Sequence, residues 1–140
     1  MEQNNETKKD LFTASPEELA AEIVNILYTK KAHNLKMLHV TDQTVIADYF
    51  IIATGNSNTQ IKALANELDY KTGLANLTPK SIEGLSEASW IVLDYASVIV
   101  HIFNRETREF YNLEKLWGDS ESVDVNKYIQ NKDDEESNND

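Results

Sequence analysis

Hydrophobic positions change their period several times along this 140-residue chain, and each change marks an element. After Ser15, the residues Leu19, Ile23, Ile26 and Leu27 recur at helical spacing, with Ala20 and Val24 beside them. Ser15 with Glu18 supplies a capping box and Pro16 suits a first turn, so a helix is predicted from there to about residues 31–33. Residues 35–40 read as a strand, closed by Thr41-Asp42-Gln43. The run YFIIAT at 49–54 is apolar on consecutive positions, which predicts a strand buried on both faces. A second helix opens at Ser57 or Asn58, with Ser57 and Gln60 as a further capping box and Ile61, Leu64, Ala65 and Leu68 as its buried stripe; it fades at residues 73–76. A short strand is expected near 80–83. Strands at 90–95 and 98–103 are separated only by Ala96-Ser97, the spacing of a tight hairpin. Residues 105–117 are amphipathic, with Phe110, Leu113, Leu116 and Trp117 apolar, and predict one or two short helices. The order α-β-β-α-β-β-β-α implies an α/β fold, a mixed β-sheet with packed helices.

Charge divides the chain. Of the net −11, residues 118–140 carry −6, from eight acids and two bases. The expected organisation is a disordered N-terminus at 1–10, a single domain at 11–119, and an acidic, disordered tail at 120–140. The folded part is only mildly acidic and has no stripe of Lys and Arg, which argues against direct nucleic-acid binding and for a basic protein partner. No cysteine is present, which excludes disulfides and thiolate metal sites. MEQNNETKKD lacks the apolar segment of a signal peptide, and no apolar run approaches the ~20 residues of a membrane span. These features predict a soluble, cytoplasmic protein.

Candidate chemistry centres on DYFIIATGNSNTQ, where a strand ends in a Gly/Asn/Ser turn and opens a helix, a generic anion site. The P-loop pattern is absent and Gly55 stands alone, so neither nucleotide fingerprint is met. Gly55-Asn56-Ser57 resembles the Gly-Ser turn of the nucleotidyltransferase fold, whose chemistry needs two carboxylates, commonly Asp-x-Asp, to hold Mg²⁺. The strand WIVLDYASVIV offers Asp94, with Ala96 where the second carboxylate belongs. His33, His39 and His101 have no metal-binding spacing, and no nucleophile elbow occurs. No metal or cofactor is expected.

The second half is more specific. Alternation sends Trp90, Val92 and Asp94 to one face and Ile91, Leu93 and Tyr95 to the other, and puts His101 with Phe103. Across the hairpin, Trp90, His101 and Phe103 become neighbours. Aromatics rimmed by carboxylates have the composition of a protein-binding hot spot.

Residues 17 to about 119 resemble, in order, the ribosomal silencing factor family, the Iojap-like proteins. The resemblance is carried by Asp48 to Gly55 with Ser57, Asn58 and Gln60; by Glu83-Gly84; by WIVLDY and VIVHIF; and by Arg108-Glu109-Phe110-Tyr111 with Leu113-Glu114 and LWGD. Three places depart from the usual pattern: Ala96-Ser97 replaces Gly-Asp, Phe110 a frequent Tyr, and Asn112 a frequent Asp. The resemblance implies a nucleotidyltransferase-like fold lacking the catalytic carboxylate pair, and no enzyme activity. It implies binding to the large ribosomal subunit through its protein number fourteen, steric blocking of subunit joining, repression of translation under nutrient limitation, and a homodimer when free. The contact region it suggests comprises Trp90, Asp94, Tyr95, His101, Phe103, Arg108, Tyr111, Leu113, Glu114 and Trp117. Two alternatives stay open: a large-subunit assembly factor using the same surface, and an enzyme built on Gly55–Ser57 and Asp94.

Overall fold

The computed structural model describes residues 10–129. Its elements are α1 (Pro16–Thr29), β1 (His33–His39), β2 (Tyr49–Thr54), α2 (Asn58–Leu74), β3 (Ser81–Glu83), β4 (Trp90–Asp94), β5 (Val98–Phe103), α3 (Arg105–Tyr111), α4 (Leu113–Leu116) and β6 (Glu121–Val123). A single 3₁₀ turn, Leu11–Thr13, precedes α1. The strands form one sheet in the order β3-β4-β5-β2-β1-β6. Only β2 and β5 run parallel; every other neighbouring pair is antiparallel.

The caps behave as the sequence predicts, with one shift. Ser15 accepts from the Glu18 N–H and Glu18 returns a bond to the Ser15 N–H, so the capping box of α1 is complete. At α2 the Ser57 hydroxyl accepts from the Gln60 N–H, but the Gln60 side chain takes the Asn56 N–H instead. α1 stops at Thr29, earlier than expected, because Lys31 adopts φ +73°. Lys31 N–H bonds to the Tyr28 carbonyl and Ala32 N–H to the Leu27 carbonyl, the two bonds of a Schellman motif. Asn76 closes α2 in the same way.

The two faces of the sheet are covered unequally. α1 and α2 pack on one face, where Ile23, Leu27, Ile61, Leu64 and Leu68 meet Met37, Ile51, Ile91, Leu93, Val100 and Ile102. On the other face Leu38, Phe50, Ile52 and Phe103 lie under only Leu113 and Trp117 from the short segment after β5. β2 is buried along its whole length, as its unbroken apolar run predicts. β1 begins two residues earlier than expected, because a bulge between His33 and Lys36 carries Asn34 at φ +52°.

The domain does not end at Asp119. Residues 121–123 pair with β1 as an edge strand, and Val123, Val125, Tyr128 and Ile129 pack against the helical face. The Tyr128 hydroxyl also donates to Glu17 at 3.0 Å. The acidic run further on disguised this segment, yet four apolar side chains within seven residues suffice to anchor it. Residues 1–9 and 130–140, the rest of the two expected tails, lie outside the described residues.

The hairpin forms at the expected residues, with an unexpected turn. Ala96 holds φ +74°, and the Ser97 N–H bonds back to the Tyr95 carbonyl at 3.0 Å, a γ-turn. Asp94 steadies it by accepting the Ala96 N–H at 2.8 Å. A positive φ strains alanine and not glycine. Ala96→Gly is therefore expected to stabilise the protein by about 1 kcal/mol in urea denaturation; a loss of stability would mean that the turn is unstrained.

Candidate functional site

The thinly covered face gathers most of the aromatic chemistry. Strand register pairs Trp90 with Phe103 and Val92 with His101, so the three rings predicted to be neighbours do meet. Trp90 stacks on Phe103 with centroids 5.0 Å apart, and its indole N–H donates to His101 Nδ1 at 3.2 Å. Tyr111 lies against the outer side of Trp90 at 4.7 Å. Trp117 meets Phe50 edge-on at 5.0 Å. Trp90 and Trp117 are half-buried, while Tyr111 is 51% exposed.

The cover that carries Tyr111, Leu113 and Trp117 is held by Arg108. Its guanidinium donates to Glu114 through Nε at 3.2 Å and Nη2 at 2.8 Å. Nη1 reaches back to the sheet, to the Asn34 carbonyl and the Thr54 hydroxyl, both at 2.7 Å. One side chain, 11% exposed, thus joins α3, α4, β1 and β2. Burial alone would raise the Glu114 carboxyl, but the hydrogen bonds and charge of Arg108 outweigh it and hold the group below its usual value. Asn112 links the two helices: it adopts the left-handed conformation that ends α3, and its side chain accepts the Lys115 N–H at the start of α4. Asparagine tolerates that conformation well, so its replacing a frequent aspartate is compatible with the local geometry.

The contact region implied by the resemblance is therefore brought together only in part. Trp90, Asp94, Tyr111, Glu114 and Trp117 lie on this face with at least partial exposure. Phe103, Leu113 and His101 are buried beneath the cover and support it. Tyr95 is buried on the opposite face, where its hydroxyl meets Thr72 at 2.9 Å and burial pushes it up to about 12. Residues outside that contact region are exposed too. Phe110 and Leu116, expected on the apolar stripe, stand in solvent, because the break at Asn112 resets the helical phase. Val45 stands fully out of the β1–β2 loop and Ile46 is mostly exposed; their signal was an apolar pair inside a polar loop.

The Gly55 turn is closed on itself. The Gly55 N–H is bonded to the Phe103 carbonyl, and the Asn56 and Gln60 N–H groups are taken by side chains of the turn. A Cβ at Gly55 would come within 2.7 Å of Ile61, so this glycine serves the packing of the turn on its own helix. Asp94 pairs with Ile99, whereas Gly55 follows the residue paired with Phe103. Four strand positions, roughly 13 Å, separate them, and the Gly55–Asp94 constellation does not assemble. No group of three metal-ligating side chains occurs among the described residues, and no helix there is long and apolar enough to cross a membrane.

Fold and face together define a mixed α/β protein with one face of its sheet only thinly covered. The chain belongs to the ribosomal silencing factor family: the family model "Ribosomal silencing factor during starvation" matches residues 13–140. It is 38% identical over 115 residues to the ribosomal silencing factor RsfS of Halalkalibacterium halodurans, covering 82% of this chain and 98% of that one. A mouse protein named for mitochondrial assembly of the ribosomal large subunit is 33% identical over 98 residues, 68% of this chain and 43% of its own. A crystal structure from Chromobacterium violaceum superposes with a TM-score of 0.73 at 30% identity, over 75% of this chain and 88% of that chain.

Two outcomes test the site. Arg108→Ala leaves Glu114 without its hydrogen-bonded cation and Thr54 without its donor, and is expected to cost about 2–4 kcal/mol in denaturant unfolding; a cost below 0.5 kcal/mol would show that the cover stands without it. His101, pushed down to about 4 by burial, stays neutral in the fold, while the unfolded chain takes up its proton near pH 6.5. Its contribution is complete above that pH and lost as pH falls towards 4, up to about 3 kcal/mol. His101→Gln keeps an acceptor for Trp90 and should flatten that part of the stability profile; an unchanged profile would assign the acid loss to the carboxylates.

Proposed function

We propose that this protein is a translational repressor of the cytoplasm that binds the large ribosomal subunit through protein number fourteen and sterically blocks joining with the small subunit when nutrients are scarce. The observation that carries the reading is the Trp90–Tyr111 pair, half-exposed on the thinly covered face of a ribosomal silencing factor chain. Phe110, Leu116, Val45 and Ile46 are exposed apolar side chains as well, and exposed apolar groups that gather on one surface mark interaction sites. Asp94 supplies negative charge for a basic partner, in keeping with the chain's net −11, whereas Glu114 is already paired with Arg108. Occlusion needs no catalytic group, so the reading is compatible with the self-capped Gly55 turn. Free copies are proposed to be homodimers.

The second reading is an assembly factor acting on maturing large subunits with the same surface. It is favoured by the name of the mouse relative. The particle bound separates the two: mature subunits for the repressor, immature ones for the assembly factor.

Co-sedimentation with isolated ribosomal subunits tests both. Saturable pelleting with mature large subunits alone is expected. Tyr111→Ala, which removes a half-exposed ring without opening the core, should weaken it by about 2 kcal/mol, near thirtyfold. Pelleting with neither subunit would overturn the reading, and undiminished affinity in the variant would remove Tyr111 from the interface.

A further inference from the structure

The neighbouring parallel strands β2 and β5 send their following helices to opposite faces of the sheet. α2 crosses to the thickly covered face, and α3 with α4 to the other. Beyond the carboxyl ends of such a pair the chain must part, and in open α/β sheets that parting is where ligands bind. An open crevice of about 730 Å³ lies there, lined among others by Asn34, Lys36, Thr54, Arg105, Arg108 and Glu109. Its volume falls in the range of small-molecule sites.

Its lining is polar, with three cations, Lys36, Arg105 and Arg108, against two carboxylates, Glu109 and Glu114. Lys36, half-buried on β1, has no carboxylate within ion-pair distance among the described residues, although its charge helps to hold the Glu114 carboxyl down. Arg105 makes one loose pair with Glu109 at 3.7 Å, both side chains mostly exposed. Arg108 forms the floor, fixed by Glu114 and the sheet. Thr54 is buried and accepts from Arg108, which leaves its own hydroxyl proton free to donate. Two available cations above a buried hydroxyl donor suit one dianionic group better than a carboxylate, and suit a compact ligand better than a polymer. In a chain of net charge −11, two cations do not make the stripe that an RNA backbone needs.

We propose that this crevice binds a small phosphorylated molecule, of about mononucleotide size, with its phosphoryl group between Lys36 and Arg105 and against the Thr54 hydroxyl. The site is distinct from the Gly55 turn, where the Gly55, Asn56 and Gln60 N–H groups already have partners, and it does not depend on the ribosomal reading. Because Arg108 lies both in its floor and in the clamp on Glu114, an occupant there would be felt by the cover that carries Tyr111.

Amide NMR of the full chain tests this with inorganic pyrophosphate, ADP and a short RNA as separate probes. Saturable shifts confined to residues 34–36, 54 and 105–108 are expected with pyrophosphate or ADP. The Lys36→Gln/Arg105→Gln double variant should keep the thermal midpoint and raise the Kd about tenfold or more. Shifts scattered over the surface, shifts undiminished in the double variant, or binding of RNA without either small probe would each overturn the proposal. Subunit pelleting measured on the same variant distinguishes failure here from failure of the repressor reading.

Discussion

Burial of β2 on both faces is the constraint from which the rest of the architecture follows. Six consecutive residues, Tyr49 to Thr54, are shielded from water, so the sheet must be covered on each side of its centre. One side receives two long helices. The other receives only two short helices after β5, eleven residues, with Leu113 and the adjoining Trp117 reaching inwards. A cover that small cannot bury every apolar group near it, and Tyr111, Phe110 and Leu116 stay in solvent. The exposed aromatic face is thus a consequence of unequal covering. Isolated helices as short as α3 and α4 are unstable in water, so they depend on their tertiary contacts.

Arg108 supplies the contact that a short helix cannot supply for itself. Its bonds fall on two layers: Glu114 in the cover, and the Asn34 carbonyl and Thr54 hydroxyl in the sheet. The guanidinium suits this role because its donors diverge in one rigid plane, where a lysine would offer a point charge. The Asn34 carbonyl is within reach because the β1 bulge turns the backbone there to φ +52°. Local distortion in one strand and order in a distant helix pair are therefore linked through a single side chain.

Much of this could be read from the chain. Ser15, Pro16 and Glu18 announced α1; the unbroken YFIIAT announced a central strand; alternation along WIVLD and VIVHIF placed Trp90, His101 and Phe103 together. Each of these rests on a local rule of period or capping. What escaped was set by partners far away in sequence. β6 exists because β1 offers it an edge, and nothing in ESV alone says so. Lys31 and Ala96 take positive φ although neither residue type favours it, because the surrounding packing dictates where the chain turns. Phe110 and Leu116 read as core positions until Asn112 broke the helix between them. The crevice, assembled from three separated segments, left no trace in any one of them.

The segment from β2 into α2 shows how one architecture separates from one chemistry. A strand, a Gly/Asn/Ser turn and a helix are in place, but three of the N–H groups there, those of Gly55, Asn56 and Gln60, are taken by the Phe103 carbonyl and by the Gln60 and Ser57 side chains. The single carboxylate of the neighbouring hairpin sits at the far end of its strand and holds the Ala96 turn. Strand direction enforces that distance: β4 runs against β5, so its last residue faces away from the carboxyl ends of β2 and β5. What those carboxyl ends do present, on the side of α3, is a different set of groups, Thr54, Arg105 and Arg108. A sheet that has closed one anion site in this way still has the geometry for another, because the parting of the chain at adjacent parallel strands is fixed by topology and not by the residues that happen to line it.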